Sequence, residues 1–550
     1  MGPHNPNILC KNCGTSLTHD ISVPSSPAPH LHRTIQAPDA SEFISIRETL
    51  SYAKPDLHQL DDDIKRMQTV LGELQRKRRE LHKFILEHDA FLAPVRLLPL
   101  EILTEIFVLC MPKWENAAFS SQRVPLIVGQ VCAGWRHAAL STQTLWSSIT
   151  VAPVGCPSTS LVRAWISRAI SSPLKIRFDA DYHPKSAARR MWPTIAELVQ
   201  YCDRWKDIEI ALPASMVYRF YPVTHRLPWL ESLRFDRRST REPWPRELNI
   251  FEYAPRLRRL YISLGISHKT LKLPWAQLTE LEAFFDNITI CLETLQLVPN
   301  IVKCTLHCDS WFEEDDYIVS HYIPNLQFPH LLFLHLYIVG NPTELFNCLQ
   351  IPKLHSIRVI SSYNPLQSEE ERWISQQPFI SFLSRCHNLC SLTINGILEG
   401  GERPNLARCL GALPSLTHLA VIGANGWFTS DIFGQLTPTA PSGISGTCLV
   451  PQLEVLKIGD TFVDLRLFAK MIESRRVRDD SRNVAQLKDV RFELYQLPVD
   501  DDDDDIQVSI EFDAEALDLL RSCQDEGMNI SIIDIKNDRK DLLVANPTYL

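Results

Sequence analysis

One phrase recurs past residue 180 and constrains the fold more than any other feature of the chain: Pro-x-Leu-x-x-Leu-x-(Ile/Val/Phe). It reads PWLESLRF at 228–235, PRLRRLYI at 255–262, PHLLFLHL at 329–336 and PKLHSIRV at 352–359, then PSLTHLAV at 414–421 and PQLEVLKI at 451–458. Weaker copies are PNIVKCTL at 299–306, HNLCSLTI at 387–394 and AQLKDVRF at 485–492. Each phrase ends in an apolar–polar–apolar triplet, the pattern of a short strand with one buried face. Helical stretches such as 345–349 and 379–383 lie between the copies. A single strand–helix unit cannot bury its own apolar face, so the pattern predicts neighbours stacked into a solenoid. The stretch 514–533 reads as one more helix and strand, with Gly527 suited to the helix C-cap.

Upstream, residues 1–45 are rich in Pro, Ser and His and read as a flexible leader. The leader holds Cys10-Lys11-Asn12-Cys13, with His19, His30 and His32 further on. A CxxC turn can place two thiolates on zinc, but a structural site needs four ligands and the second pair is missing. Cys10 and Cys13 are therefore weak metal candidates. A helical segment is expected over 46–92. Leu57, Leu60, Ile64, Met67, Leu71, Leu74, Leu81 and Ile85 fall at three- and four-residue steps broken at Arg78. Such a stripe suits a helix packed on its own domain, a hairpin with residues 43–54, or a dimerising coiled coil.

The segment 93–150 has a different character. Pro99 suits the first turn of a helix, and Ile102, Leu103, Ile106 and Phe107 give that helix an apolar face. A second helix is expected to turn Leu126, Ile127, Val131, Trp135 and Ala138 inward, with Leu140 to Trp146 closing the unit and Leu140 in its core. LLPLEILTEIF at 97–107, followed by VPLIVGQVCAGWRHAALSTQTLWSSI at 124–149, resembles the F-box in its expanded fungal form. LVRAWISRAISSPLKIRF at 161–178 resembles the helix and strand that follow the box in those proteins. Gly129, Gly134 and Gln143 depart from the family pattern.

The resemblance implies a three-helix F-box docking on a Skp-type adaptor, and through it on a cullin. Leu98, Pro99, Ile102, Leu103, Ile106 and Phe107 would contact the adaptor, with Trp135 and Leu145 nearby. The phrases past residue 216 are similar to irregular leucine-rich repeats, which in such proteins receive the target. The expected fold class is α+β: a long amphipathic helix, the helical box, a connecting α/β segment over 151–215, then a repeat-like α/β solenoid over 216–540. The implied function is substrate recognition for an SCF-type cullin-RING ubiquitin ligase. A leucine-rich-repeat scaffold with no ligase role is the alternative.

Composition agrees with a globular, non-enzymatic reading. The chain has 550 residues, 45% hydrophobic and 22% charged, enough for sizeable cores in more than one domain. A net charge of -9 carries no signature of nucleic-acid or anionic-membrane binding. Cys132, Cys304, Cys348, Cys386 and Cys390 sit among apolar residues, as reduced cysteines do inside a cytoplasmic or nuclear protein. No signal peptide or membrane span is expected. No nucleophile elbow, phosphate loop, HExxH or kinase loop occurs, so neither catalysis nor a cofactor is expected. Glu313, Glu314, Asp315 and Asp316 read as a charged loop, and Asp500–Asp505 as a solvated acidic loop. Trp427 and Phe428 are either target contacts or loop anchors.

Overall fold

Asp39 sets where the first helix begins. Its carboxylate accepts the backbone N–H of Ser41 (2.9 Å) and of Glu42 (2.7 Å), while the Glu42 carboxylate accepts the Asp39 N–H (3.0 Å). This capping box satisfies donors that a helix N-terminus otherwise leaves unpaired. In the computed structural model, helix α1 runs unbroken over Ala40–Leu92. It thus starts inside the stretch expected as leader. The hairpin with residues 43–54, one of the three readings open for this stripe, does not form. Pro55 lies within α1, although a proline there removes one backbone hydrogen bond and costs about 3 kcal/mol. Pairs such as Arg76–Glu80 (3.0 Å) and Lys83–Glu87 (3.8 Å) line its polar positions.

The structure describes residues 21–111, 123–180, 188–236, 246–263, 265–286, 288–308, 325–339, 342–361, 377–396, 406–423, 428–438, 448–459, 464–478, 483–494, 514–534, 540–541 and 543. The chain forms two compact units, Met1–Ile102 and Leu103–Leu550. The division falls inside helix α2, Leu100–Leu109. In the second unit α3 (Arg123–Val131) and α4 (Ala133–Ser141) follow, then α5 (Thr159–Arg168).

Among the described residues, fifteen strands form one sheet in sequential order. The first seven are β1 Ser148–Val151, β2 Leu174–Asp179, β3 Trp205–Ala211, β4 Ser232–Phe235, β5 Arg259–Ile262, β6 Glu280–Phe285 and β7 Lys303–Cys308. Then come β8 Phe333–Ile338, β9 Ser356–Ser361, β10 Ser391–Asn395, β11 His418–Ile422 and β12 Val455–Gly459. β13 Asp489–Leu494, β14 Asn529–Asp534 and β15 Lys540–Asp541 complete it. Neighbours pair in parallel, except that β15 is antiparallel to β14. The architecture is thus mixed α/β: a long N-terminal helix and a large parallel sheet. The sheet already begins at Ser148, well before residue 216.

Register explains why the recurring phrase works. Ile208, Leu233, Leu260, Leu281, Cys304 and Leu334 occupy equivalent positions on β3 to β8 and all are buried. Two residues on, Ile210, Phe235, Ile262, Ala283, Leu306 and Leu336 form a second buried row. The second residue of a phrase contributes as well. The side-chain amides of Asn300 and Asn388 donate to the carbonyls of Ala276 (2.7 Å) and Pro352 (2.8 Å), in the turn of the preceding unit. Gln277 does the same to Ala254 (2.7 Å). These amides satisfy turn carbonyls that no strand partner reaches.

Candidate functional site

Two surfaces of the chain offer binding chemistry: the helices ahead of the sheet, and the polar face of the sheet itself.

In α2, an i, i+4 pair divides two ways. Leu103 is 8% exposed and Phe107 1%, while Ile102 is 46% exposed and Ile106 38%. Phe107 is fixed by Trp135, whose ring centroid lies 4.9 Å away at 57°. Trp135 is half-buried. Leu145 is fully buried, next to Trp146, whose indole N–H donates to the Ala139 carbonyl (2.7 Å). Trp146 also meets Trp165 of α5 edge-on at 4.6 Å, and Arg168 sits over its ring at 4.4 Å. Leu103, Phe107 and Leu145, expected at a partner surface, are therefore core side chains. Leu98 is half-buried, and Pro99, just ahead of α2, is exposed.

The expected single second helix is two. Cys132 adopts an extended conformation (φ -157°, ψ 174°), and its sulfur accepts the Trp135 N–H at 3.4 Å, capping α4. That break resets the helical phase. Leu126, Ile127 and Val131, expected inward, are exposed, and Val128 takes the inner position. Ala138 and Ala139 are buried, whereas Leu140, expected in the core, is 44% exposed.

On the sheet, the polar residue inside each strand triplet faces away from the core rows. Across β3 to β9 this row reads Glu209, Arg234, Tyr261, Glu282, Thr305, His335, Arg358. At its start the charges are paired. Arg177 lies 3.3 Å from both Glu209 and Asp179, and Arg259 donates to Asp207 at 2.9 Å. Burial pushes the Glu209 carboxyl above the usual range, and Arg177 partly offsets this. Arg234 stacks its guanidinium 3.4 Å over Tyr261. An aromatic ladder follows: His307 lies between Phe284 (3.8 Å, 8°) and Tyr337 (4.1 Å, 10°). The Glu282 carboxyl is held below its usual range chiefly by His307, whose Nε2 lies 3.8 Å away, a charge contact longer than a hydrogen bond.

Two troughs mark this face. One of about 520 Å³ is lined by Arg234, Arg259, Tyr261, Glu282, Lys303 and Thr305. A second, of about 350 Å³, is lined by Arg358, Thr393, Asn395, His418, Ala420 and Lys457. The sequence reading singled out none of these residues. The signal was present, since Arg234, Tyr261, Arg358 and Lys457 each hold the seventh position of a phrase.

Cys10, Cys13, His19, Glu313, Glu314, Asp315, Asp316, Asp500–Asp505 and Trp427 lie outside the described residues. Phe428 is 5% exposed and stacks on Phe433 at 5.7 Å, so it anchors its loop. Among the described residues, no group of three or more His, Cys, Asp or Glu is placed to hold a metal ion, and no helix is long and apolar enough to cross a membrane. No protein-family model matches the chain, and no curated protein matches it.

Proposed function

We propose that the chain is the substrate-recognition adaptor of an SCF-type cullin-RING ubiquitin ligase. In this reading residues 93–150 are an F-box that binds a Skp-type adaptor, and the leucine-rich-repeat-like solenoid past residue 216 holds a target protein. The observation that carries it is the solvent-facing apolar set Ile106, Leu109, Leu126, Ile127 and Val131, which are 38%, 81%, 45%, 58% and 59% exposed. Apolar side chains left in water on helices whose other face is buried suit a partner surface. Ile102, on the same stripe of α2 as Ile106, extends it. The sheet's polar and aromatic face, with its two troughs, supports the target-binding half of the reading. The chain's part is positioning: it raises the effective concentration of the target beside the transfer machinery.

The test is co-purification of the full chain with a Skp-type adaptor, comparing wild type with Ile102→Asp and Ile106→Asp. Both positions are part-exposed in the free chain, so the substitutions should leave folding intact by circular dichroism. A carboxylate buried unpaired in the complex costs roughly 2 kcal/mol or more, so retention should fall at least about tenfold. If folded wild type retains no adaptor, the ligase reading fails and the scaffold reading replaces it.

A further inference from the structure

Helix α1 carries a seam longer than the sequence stripe that first marks it. With the helix starting at Ala40, the alternating three- and four-residue steps extend from Phe43 to Leu92 without a skip. Taking Phe43 as heptad position a, every a and d position is apolar except Arg78 and His88. Pro55 falls at f, opposite the seam. The seam faces solvent: Leu57 is 61% exposed, Leu71 55% and Leu81 61%. The helix has 53 residues, a length of about 80 Å at the usual rise. An uninterrupted heptad stripe of this kind is the geometry of a coiled-coil interface.

The charges say what covers it. Asp61, Asp62 and Asp63 form one acidic run, and Arg76, Lys77, Arg78 and Arg79 one basic run, on opposite sides of residue 69. In a parallel pair the acidic runs lie level with each other, and so do the basic ones. Arg78 then shares a core layer with a second Arg78, and Asp56 at g meets Asp61 at e. An antiparallel pair centred near residue 69 reverses each of these conflicts. The acidic run of each copy lies beside the basic run of the other, and Arg78 shares its layer with Leu60. Asp63 meets Lys77 at the g positions, and Arg47 meets Asp89 at the e positions. Flanking charges of this kind select orientation in coiled coils.

We infer that α1 pairs with α1 of a second copy of this chain as an antiparallel coiled coil, making the protein a homodimer. Sedimentation equilibrium of the full chain alone, with no adaptor present, tests this and is independent of the ligase reading. At micromolar concentration the mass should be twice the 62.9 kDa of one chain. Orientation is tested by charge exchange. One variant carries Asp61→Lys, Asp62→Lys and Asp63→Lys, and another carries Arg76→Glu, Lys77→Glu, Arg78→Glu and Arg79→Glu. Each alone should weaken the dimer at least about tenfold, and the two sets combined in one chain should restore it. Circular dichroism confirms that each variant keeps its helix. A monomeric wild-type chain overturns the proposal. So does a dimer that Asp61→Lys, Asp62→Lys and Asp63→Lys together do not weaken, because in a parallel pair they would relieve the Asp56–Asp61 repulsion, and contact through another surface would leave the affinity unchanged.

Discussion

Arg475 has no exposed surface, and its guanidinium is distributed over four acceptors. Nε donates to the Leu436 carbonyl (2.8 Å), Nη1 to Val450 (3.1 Å), and Nη2 to both the Leu449 carbonyl (2.8 Å) and the Cys448 sulfur (2.8 Å). Leu436 ends the helix Ser430–Leu436, so the charge also meets the negative end of that helix. Burial pulls the Arg475 pKa down, with Cys448 partly offsetting it, yet a guanidinium this well donated stays charged. The residue joins the two ends of the stretch between Leu436 and Cys448 with one rigid fork. Arg475→Lys keeps the charge but cannot span the acceptors. It should cost roughly 3 kcal/mol through carbonyls left buried and unpaired, read as a lower urea midpoint. A shift within error would mean that those carbonyls are already hydrated. Nothing in the local sequence RRVRDD marks this arginine among its neighbours, because its partners lie 25 to 39 residues away. The same limit applied in α2. The sequence shows that Ile102, Leu103, Ile106 and Phe107 are apolar, but the packing of Phe107 on the distant Trp135 buries it while Ile106 stays exposed.

Among the elements, legibility followed how local the cause was. Eight phrases beginning with Pro or with His387 end in strands β4, β5, β7, β8, β9, β10, β11 and β12, since a turn followed by period-two burial is written in adjacent residues. β6 is missed because Ala276 and Ala283 together replace the phrase's Pro and its final large apolar residue, though Leu281, Ala283 and Phe285 keep the buried alternation. β3 escaped because no such phrase leads into it. The split of α3 from α4 was not legible either, because Cys is not a usual capping residue. Helix-to-helix ties are similarly non-local. Arg163 of α5 donates twice to Glu197 of the helix Trp192–Val199, at 2.9 and 2.7 Å. Arg163 holds the Glu197 carboxyl below its ordinary value of 4.5. A carboxyl whose pKa is depressed by folding adds stability above its unfolded value, and that stability is lost as pH falls through the folded value. Arg163→Met should therefore lower the urea midpoint near neutral pH, and the gap to wild type should close below about pH 4. A gap that stays constant into acid would mean the arginine acts through its alkyl stem alone.

At the scale of the second unit, each described strand of the sheet pairs with its sequence neighbours, so stability is a chain of nearest-neighbour terms. A central strand such as β7 has full partners on both sides, β6 and β8. β14 has β13 on one side but only two residues of β15 on the other. Opening should therefore begin at the C-terminal end and reach the centre last. Buried cysteines report this along the array. Cys304 lies on β7, Cys386 and Cys409 lie further on, and Cys523 sits in the helix Ala514–Asp525 that leads into β14. Burial pushes the thiols of Cys304, Cys386 and Cys409 up to about 12, so each reacts only when its surroundings open. Alkylation under native conditions, mapped by mass spectrometry and expressed against the rate in the unfolded chain, gives a protection factor for each thiol. The exposed Cys110 and Cys132 should label at once. Cys523 should be protected least of the buried set and Cys304 most, by at least about tenfold between them. Equal protection at all buried sites would mean that the fifteen strands open in one step, and that coupling between neighbours exceeds the weakness of the end.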